Sequence, residues 1–212
     1  MSVILPPGGA VFDDDEIDAR WADAWRPGQV AARLSGVGTP WYVAAGWALD
    51  LFRGERTRAH GDLEIAVPAA GFAEVRACFP ELACDAVGSG RVWEGAGTEV
   101  LAVTHQTWFR DPASGRFRFD VFRESHEGGT WICRRDARLR LPYEAVVERT
   151  EDGIPYLVPE LVLLFKAKAV RAKDQADFDG VLPLLGRARR QTLRGWLELV
   201  HPGHPWLVRL EG

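Results

Sequence analysis

Lysine is nearly missing from this 212-residue chain. Only three of the 26 basic residues are lysines, namely Lys166, Lys168 and Lys173, and all three lie in one short segment. The rest are arginines, a bias that a GC-rich genome produces. A lysine kept against that bias points to a need for a compact point charge on a flexible stem; chance clustering is the competing reading. Cysteine is scarce too. Cys78, Cys84 and Cys133 are odd in number and irregular in spacing, which fits neither a disulfide framework nor a CxxC zinc site. Each is expected to be a small buried hydrophobe in a reduced, cytoplasmic protein. No run approaches about 18 apolar residues without charge, so no membrane span is expected. The first fifteen residues lack a basic stretch followed by an apolar one, so no signal peptide is expected. A basic excess is also absent. The net charge of −4 argues against a general nucleic-acid binder. There is no Gly-x-Ser-x-Gly elbow. Gly88-Ser89-Gly90 lacks the rest of a dinucleotide fingerprint. His105, His126, His201 and His204 have no metal-ligand spacing.

What is present reads as α+β. At about 100–200 residues per domain, the length suggests one domain, or a main domain with a helical appendage. The apolar spacing of Ile17, Trp21, Trp25 and Val30, behind a cap at Asp13 or Asp14, predicts a helix over 14–34. Trp41 to Ala45 reads as a buried strand. Trp47 to Phe52 reads as a short helix closed by Gly54. Residues 62–67 form a second strand, and Phe72 to Cys78 a helix. Strands and hairpins fill the stretch from about 84 to 158, with turns at Asp111–Gly115 and Gly128-Gly129. After Pro159 the pattern becomes helical: one helix over 160–185, broken near Gly180 or Pro183, and another over 192–200. The expected division is therefore a body over 1–158 and a helical part over 159–212.

The chemistry sits in three carboxylates. Asp62 and Glu64 are two apart on an apolar strand, so they share one face with alpha carbons about 6.6 Å apart. Leu63 and Ile65 point the other way, into the core. Two carboxylates on such a strand are costly unless solvated, paired or bound to a cation, and this is how oxygen ligands are offered to magnesium at a sheet edge. In Arg116 to Phe122, Phe117, Phe119 and Val121 alternate with Arg116, Arg118 and Asp120. One face is core and the other charged. Asp120 completes a triad with Asp62 and Glu64 if the two strands are neighbours, which the sequence alone does not establish. Trp93, Trp108 and Trp131 are candidates for a pocket wall, with plain core packing as the alternative.

Gly46-Trp47-Ala48-Leu49-Asp50, followed by Thr57-Arg58-Ala59-His60-Gly61-Asp62-Leu63-Glu64, resembles the nucleotidyltransferase superfamily that includes DNA polymerase beta. The resemblance is greatest to its aminoglycoside and lincosamide branch. It is strong over about 41–67, and the segment from Pro159-Glu160 to Asp177 is also typical. The middle of the chain matches only through Asp120. The resemblance implies a mixed β-sheet body with helices on one face and a C-terminal helical part. It implies a magnesium-dependent transfer of a nucleoside monophosphate, AMP from ATP or another nucleoside triphosphate, to a hydroxyl of a small aminoglycoside-like acceptor. Asp62 and Glu64 would bind magnesium, and Asp120 would bind a second ion or act as general base. Gly46 and Trp47 open a helix toward the phosphates, and Arg58 contacts phosphate. His60 orients Asp62 or fills space. Lys166 and Lys173 would share one helical face with Asp177 and reach the triphosphate; the alternative is a solvated Lys173–Asp177 pair. Glu94, Glu99, Glu124 and Glu127 would offer acidic walls to a polycationic acceptor. A homodimer is allowed but not demanded. Three departures stand out: Ala45 in place of the first glycine of a pair, Trp47 in place of a hydroxyl residue, and Glu64 in place of aspartate. They motivate an alternative, a nucleotide-binding or interaction module without catalysis. A further alternative keeps the chemistry and moves it to a protein or RNA acceptor.

Overall fold

A computed structural model describes residues 5–211. In chain order its elements are α1 (Asp14–Trp21), α2 (Pro27–Arg33), β1 (Tyr42–Val43), α3 (Ala45–Arg53), β2 (Glu64–Pro68), α4 (Phe72–Ala77), β3 (Ala83–Gly88), β4 (Arg91–Trp93), α5 (Thr98–Val103), β5 (Gln106–Arg110), β6 (Phe117–Glu124) and β7 (His126–Glu127). There follow β8 (Thr130–Ile132), β9 (Arg140–Pro142), α6 (Tyr143–Val146), β10 (Val147–Arg149), β11 (Pro155–Leu157), α7 (Pro159–Lys166), α8 (Ala172–Val181), α9 (Arg187–Val200) and α10 (Trp206–Arg209). The fold is mixed α/β, as the resemblance implied. By contact density the described chain forms two compact units, residues 5–43 with 59–126 and residues 44–58 with 127–211. The segment carrying α3 groups with the C-terminal half.

In the first unit the strands run β1-β2-β6-β5-β3-β4. The pair β2–β6 is parallel, and the other pairs in this unit are antiparallel. Leu63, Ile65, Phe109, Phe117, Phe119 and Val121 have no exposed surface, each adding about 1.5–3 kcal/mol by leaving water. Trp21 packs on Trp108 and Phe117, and Trp25 on Phe79 and Phe119. The β5–β6 hairpin turns where expected. Asp111 accepts hydrogen bonds from Ala113 N and Ser114 Oγ, and Gly115 takes φ +71°.

The expected helix over 14–34 is two helices. Asp13 and Glu16 cap α1 reciprocally, the arrangement that satisfies two helix-start N–H groups at once. The chain then leaves helix because Trp25 N donates to Arg118 O on β6 at 2.7 Å. Pro27 starts α2 afresh at a position that needs no amide donor.

In the second unit α3 packs on α7, α8 and β11, and α7 on α9. Leu161 to Leu164 are all buried, so α7 is an all-round core helix. The helix expected over 160–185 ends near Gly180 and Pro183 as predicted, α8 stopping at Val181 before a 3-10 turn over Leu182–Leu184, but it is also interrupted earlier, over Ala167–Arg171. The cause is Asp174, whose carboxylate takes the Arg171 backbone N–H at 3.1 Å and so starts α8. Trp131 is fully buried and Trp93 nearly so. These two are core and not pocket wall, whereas Trp108 is half-buried and pairs across the sheet with Asp120. All three cysteines are free; Cys84 and Cys133 are buried and Cys78 is half-buried. Among the described residues no helix is long and apolar enough to cross a membrane.

Candidate active site

Sheet register decides the adjacency that the sequence leaves open. β2 and β6 run parallel with Glu64 opposite Asp120, and Asp120 N donates to Leu63 O at 2.7 Å. Asp62 falls just before β2, not within it, and is exposed. Glu64 is half-buried. Asp120 does not lie on a solvated charged face as its strand pattern predicts: it is 1% exposed. Gln106 Nε2, from β5, donates to Asp120 Oδ2 at 2.5 Å. Among the described residues Oδ1 has no hydrogen-bond partner. Burial, together with the charge of Glu64, lifts the Asp120 carboxyl well above the usual carboxylate range; Asp62 adds to the rise, and hydrogen bonds from Gln106 and Trp108 pull it back. A buried acceptor without a donor, beside two like charges, is an expensive arrangement.

The donor set is right in kind for a hard divalent cation, which takes carboxylate oxygens, and the orphaned Asp120 Oδ1 is an oxygen with a ligand position to fill. Among the described residues, however, no three ligand side chains already stand in metal-binding geometry.

The remaining candidates lie in the second unit. Ala44 is extended and Ala45 takes φ +50°, the left-handed region that a side chain disfavours by about 1–2 kcal/mol. That conformation is why a glycine pair suits this turn. Gly46, buried, and Trp47, half-buried, follow at the start of α3. Arg56 stacks over the Trp47 ring at 5.3 Å, and both line an open groove of about 660 Å³. Asp50 is 4% exposed and its Oδ1 accepts from Thr57 N at 3.2 Å and Thr57 Oγ1 at 2.6 Å. The two halves of the sequence motif thus hold each other, and the loop ends on Arg58. Arg58 forks Asp177, while Lys166 bridges Asp174 and Asp177. Lys166 therefore meets Asp177 through the packing of α7 on α8, not along one helical face. Lys168 and Lys173 are exposed. Of the acidic wall candidates, Glu94 pairs with Arg20 and Arg110, Glu124 accepts from Tyr42, and Glu127 pairs with Arg140.

Sequence reasoning missed Gln106 and the Asp50–Thr57 clamp. Gln106 is one of three polar residues in a five-residue strand, and only register reveals its role. The clamp was visible as two motif positions whose purpose needed the turn between them.

Fold and carboxylate placement together define a nucleotidyltransferase fold. The sequence model of the aminoglycoside-2''-adenylyltransferase family matches residues 28–110, a stretch that holds Gly46, Trp47, Arg58, Asp62 and Glu64 but ends before Asp120. Among solved structures the chain is similar to the lincosamide antibiotic adenylyltransferase LnuA bound to lincomycin, with a TM-score of 0.52, 13% identity, and 74% of this chain and 94% of that one covered. It is similar to the antibiotic-resistance factor ANT(2'')-Ia in solution, with a TM-score of 0.52, 13% identity, and coverage of 81% and 89%. The crystal structure of ANT(2'')-Ia with adenylyl-2''-tobramycin gives a TM-score of 0.50 at 13% identity, covering 79% and 92%. At such identity the likeness is one of fold. No curated protein matches the sequence.

Proposed function

We propose that this chain transfers AMP from ATP to a hydroxyl of a small aminoglycoside- or lincosamide-type molecule. The observation that carries the reading is Asp120, buried opposite Glu64 with one oxygen unpartnered. The family match over 28–110 supports the same chemistry. In the reaction the acceptor oxygen bonds to the alpha phosphorus, the bond to the beta-phosphate oxygen breaks, and pyrophosphate leaves. Asp62, Glu64 and Asp120 would hold magnesium. That ion, when bound, offsets the negative charge of the triphosphate and of the departing oxygen. Where it does not hold the ion, the unpartnered Oδ1 of Asp120 is the acceptor for the hydroxyl proton. Gly46 and Trp47 present backbone N–H groups to phosphate. Arg58 and Lys166 contact phosphate as cations, with Lys173 as a further contact. The free cysteines and the donor nucleotide suit the cytoplasm.

A second reading, nucleotide binding without turnover, draws on Ala45, whose φ of +50° stands where the related motif has glycine.

Thermal-shift titration with ATP, GTP, CTP and UTP, with and without magnesium, tests the first half. A ligand at a hundred times its Kd adds about 2.7 kcal/mol to stability. The expected result is a magnesium-dependent shift for ATP that Asp62→Asn loses. Mass spectrometry of tobramycin and lincomycin incubated with ATP and enzyme tests the second half. Binding without any adenylylated product moves the conclusion to the second reading.

A further inference from the structure

Lys166, at the end of α7, has a side chain only 9% exposed and lies 2.8 Å from Asp174 Oδ1 and 3.0 Å from Asp177 Oδ2. Arg58 reaches the same Asp177 with two bonds, Nε to Oδ1 and Nη2 to Oδ2, each 3.2 Å. Arg171 forks Asp174 at 2.7 and 3.2 Å. Three cations thus surround two carboxylates. Asp177 touches both Arg58 and Lys166. Those two cations are far apart in the chain and would repel each other without a carboxylate between them. A forked guanidinium and a point-charged ammonium held side by side match a chain of phosphate oxygens.

We infer that Asp177 is a positioning residue: its carboxylate fixes Arg58 and Lys166 as a pair that grips the phosphate chain of a nucleoside triphosphate. The inference rests on the nucleotidyl-transfer reading and adds to it a residue that touches no substrate. Charge and position oppose each other in Asp177→Asn. Losing the negative charge makes the cluster more positive, which by itself tightens an anionic ligand. Losing the brace frees both cations, which weakens it.

Calorimetric titration of the full chain with magnesium ATP separates the two. The expected outcome is a Kd raised about tenfold in Asp177→Asn, the scale of one misplaced charge-assisted hydrogen bond. In Arg58→Gln combined with Asp177→Asn, the loss should be smaller than the sum of the two single losses, because the part of the Asp177 effect that runs through Arg58 is already gone and only the Lys166 part remains. A merely structural role gives losses that add. Asp179→Asn, the same change on the exposed side of α8 where Asp179 meets Arg209, should bind as wild type does. Unchanged or tighter binding in a folded Asp177→Asn overturns the inference and leaves the reading intact. No binding by wild type sinks the reading and the inference with it. If Asp177→Asn does not fold, Asp177→Glu carries the test. It keeps the charge but displaces both cations by a methylene, and an unchanged Kd there overturns the inference equally.

Discussion

Asp120 costs the folded protein stability at neutral pH. Its carboxyl is raised in the folded state, chiefly by burial and then by Glu64. A group of that sign favours folding fully below its unfolded value near 4, and the benefit is lost as pH rises toward the folded value. Asp120→Asn, assayed with chelator present, should therefore melt higher than wild type at pH 7, and the gap should close toward pH 4. Transfer should fall by about 10²–10⁴ in the same variant if Asp120 takes the proton. Gln106 Nε2 still finds an acceptor in the asparagine oxygen, so the fold loses no hydrogen bond there. A variant that melts lower than wild type would contradict the like-charge account. Ala45 makes the converse case. Ala45→Gly relieves a left-handed alanine at some cost in chain entropy, for a net gain of about 0.5–1 kcal/mol. That corresponds to a Tm rise of roughly 1–4 °C in a chain of this size. A fall in Tm would mean that the turn does not carry the strain.

At the scale of elements, the break between α7 and α8 is held by ions. Burial pushes Asp174 and Asp177 up, but Arg171 and Lys166 on Asp174, and Arg58 and Lys166 on Asp177, outweigh it and leave both below the usual carboxylate range. Groups of this sign stabilise above their unfolded value near 4, and the contribution is lost as pH falls through the folded values. Melting of wild type should therefore drop steeply between about pH 4 and pH 2, and Asp177→Asn should show a shallower drop. Equal slopes would remove the cluster from the account. Asp174→Ala should cost about 3–5 kcal/mol, the scale of breaking a buried pair, because it also removes the acceptor that starts α8. Urea unfolding followed by circular dichroism measures it. The exposed pair Arg194–Glu198 on α9 should be worth only a few tenths of a kcal/mol by the same assay.

At the scale of the whole molecule, binding of a nucleoside triphosphate should be coupled to a divalent cation. Three carboxylates with one orphaned oxygen repel an anion until a cation offsets their charge. Adding magnesium and ATP together should raise Tm by more than the sum of the separate shifts in wild type, and the excess should vanish in Asp62→Asn. A shift with ATP alone, equal to that with both, would place the nucleotide away from Asp62, Glu64 and Asp120.

By itself the sequence determined the local chemistry. Alternation set Leu63, Ile65, Phe117, Phe119 and Val121 into the core, because a strand side chain has only two faces to choose from. Gly54 closed α3, and Asp111 with Gly115 closed the β5–β6 turn, because few residues tolerate those backbone angles. The motif from Gly46 to Glu64 was legible because its spacing and residue types leave few chemistries open. Tertiary structure alone decided the rest. It set Glu64 beside Asp120 by parallel pairing across some fifty residues, buried Asp120 where its strand pattern predicted solvent, and cut both long helices. The first break follows from a strand carbonyl that takes the Trp25 amide, the second from a carboxylate that takes the Arg171 amide. It also brought Lys166 and Arg58 together on Asp177. Apart from the Asp174–Arg171 cap, which spans only three residues, each of these outcomes is a contact between residues distant in the chain, and neither periodicity nor propensity carries information about a partner that only folding brings near.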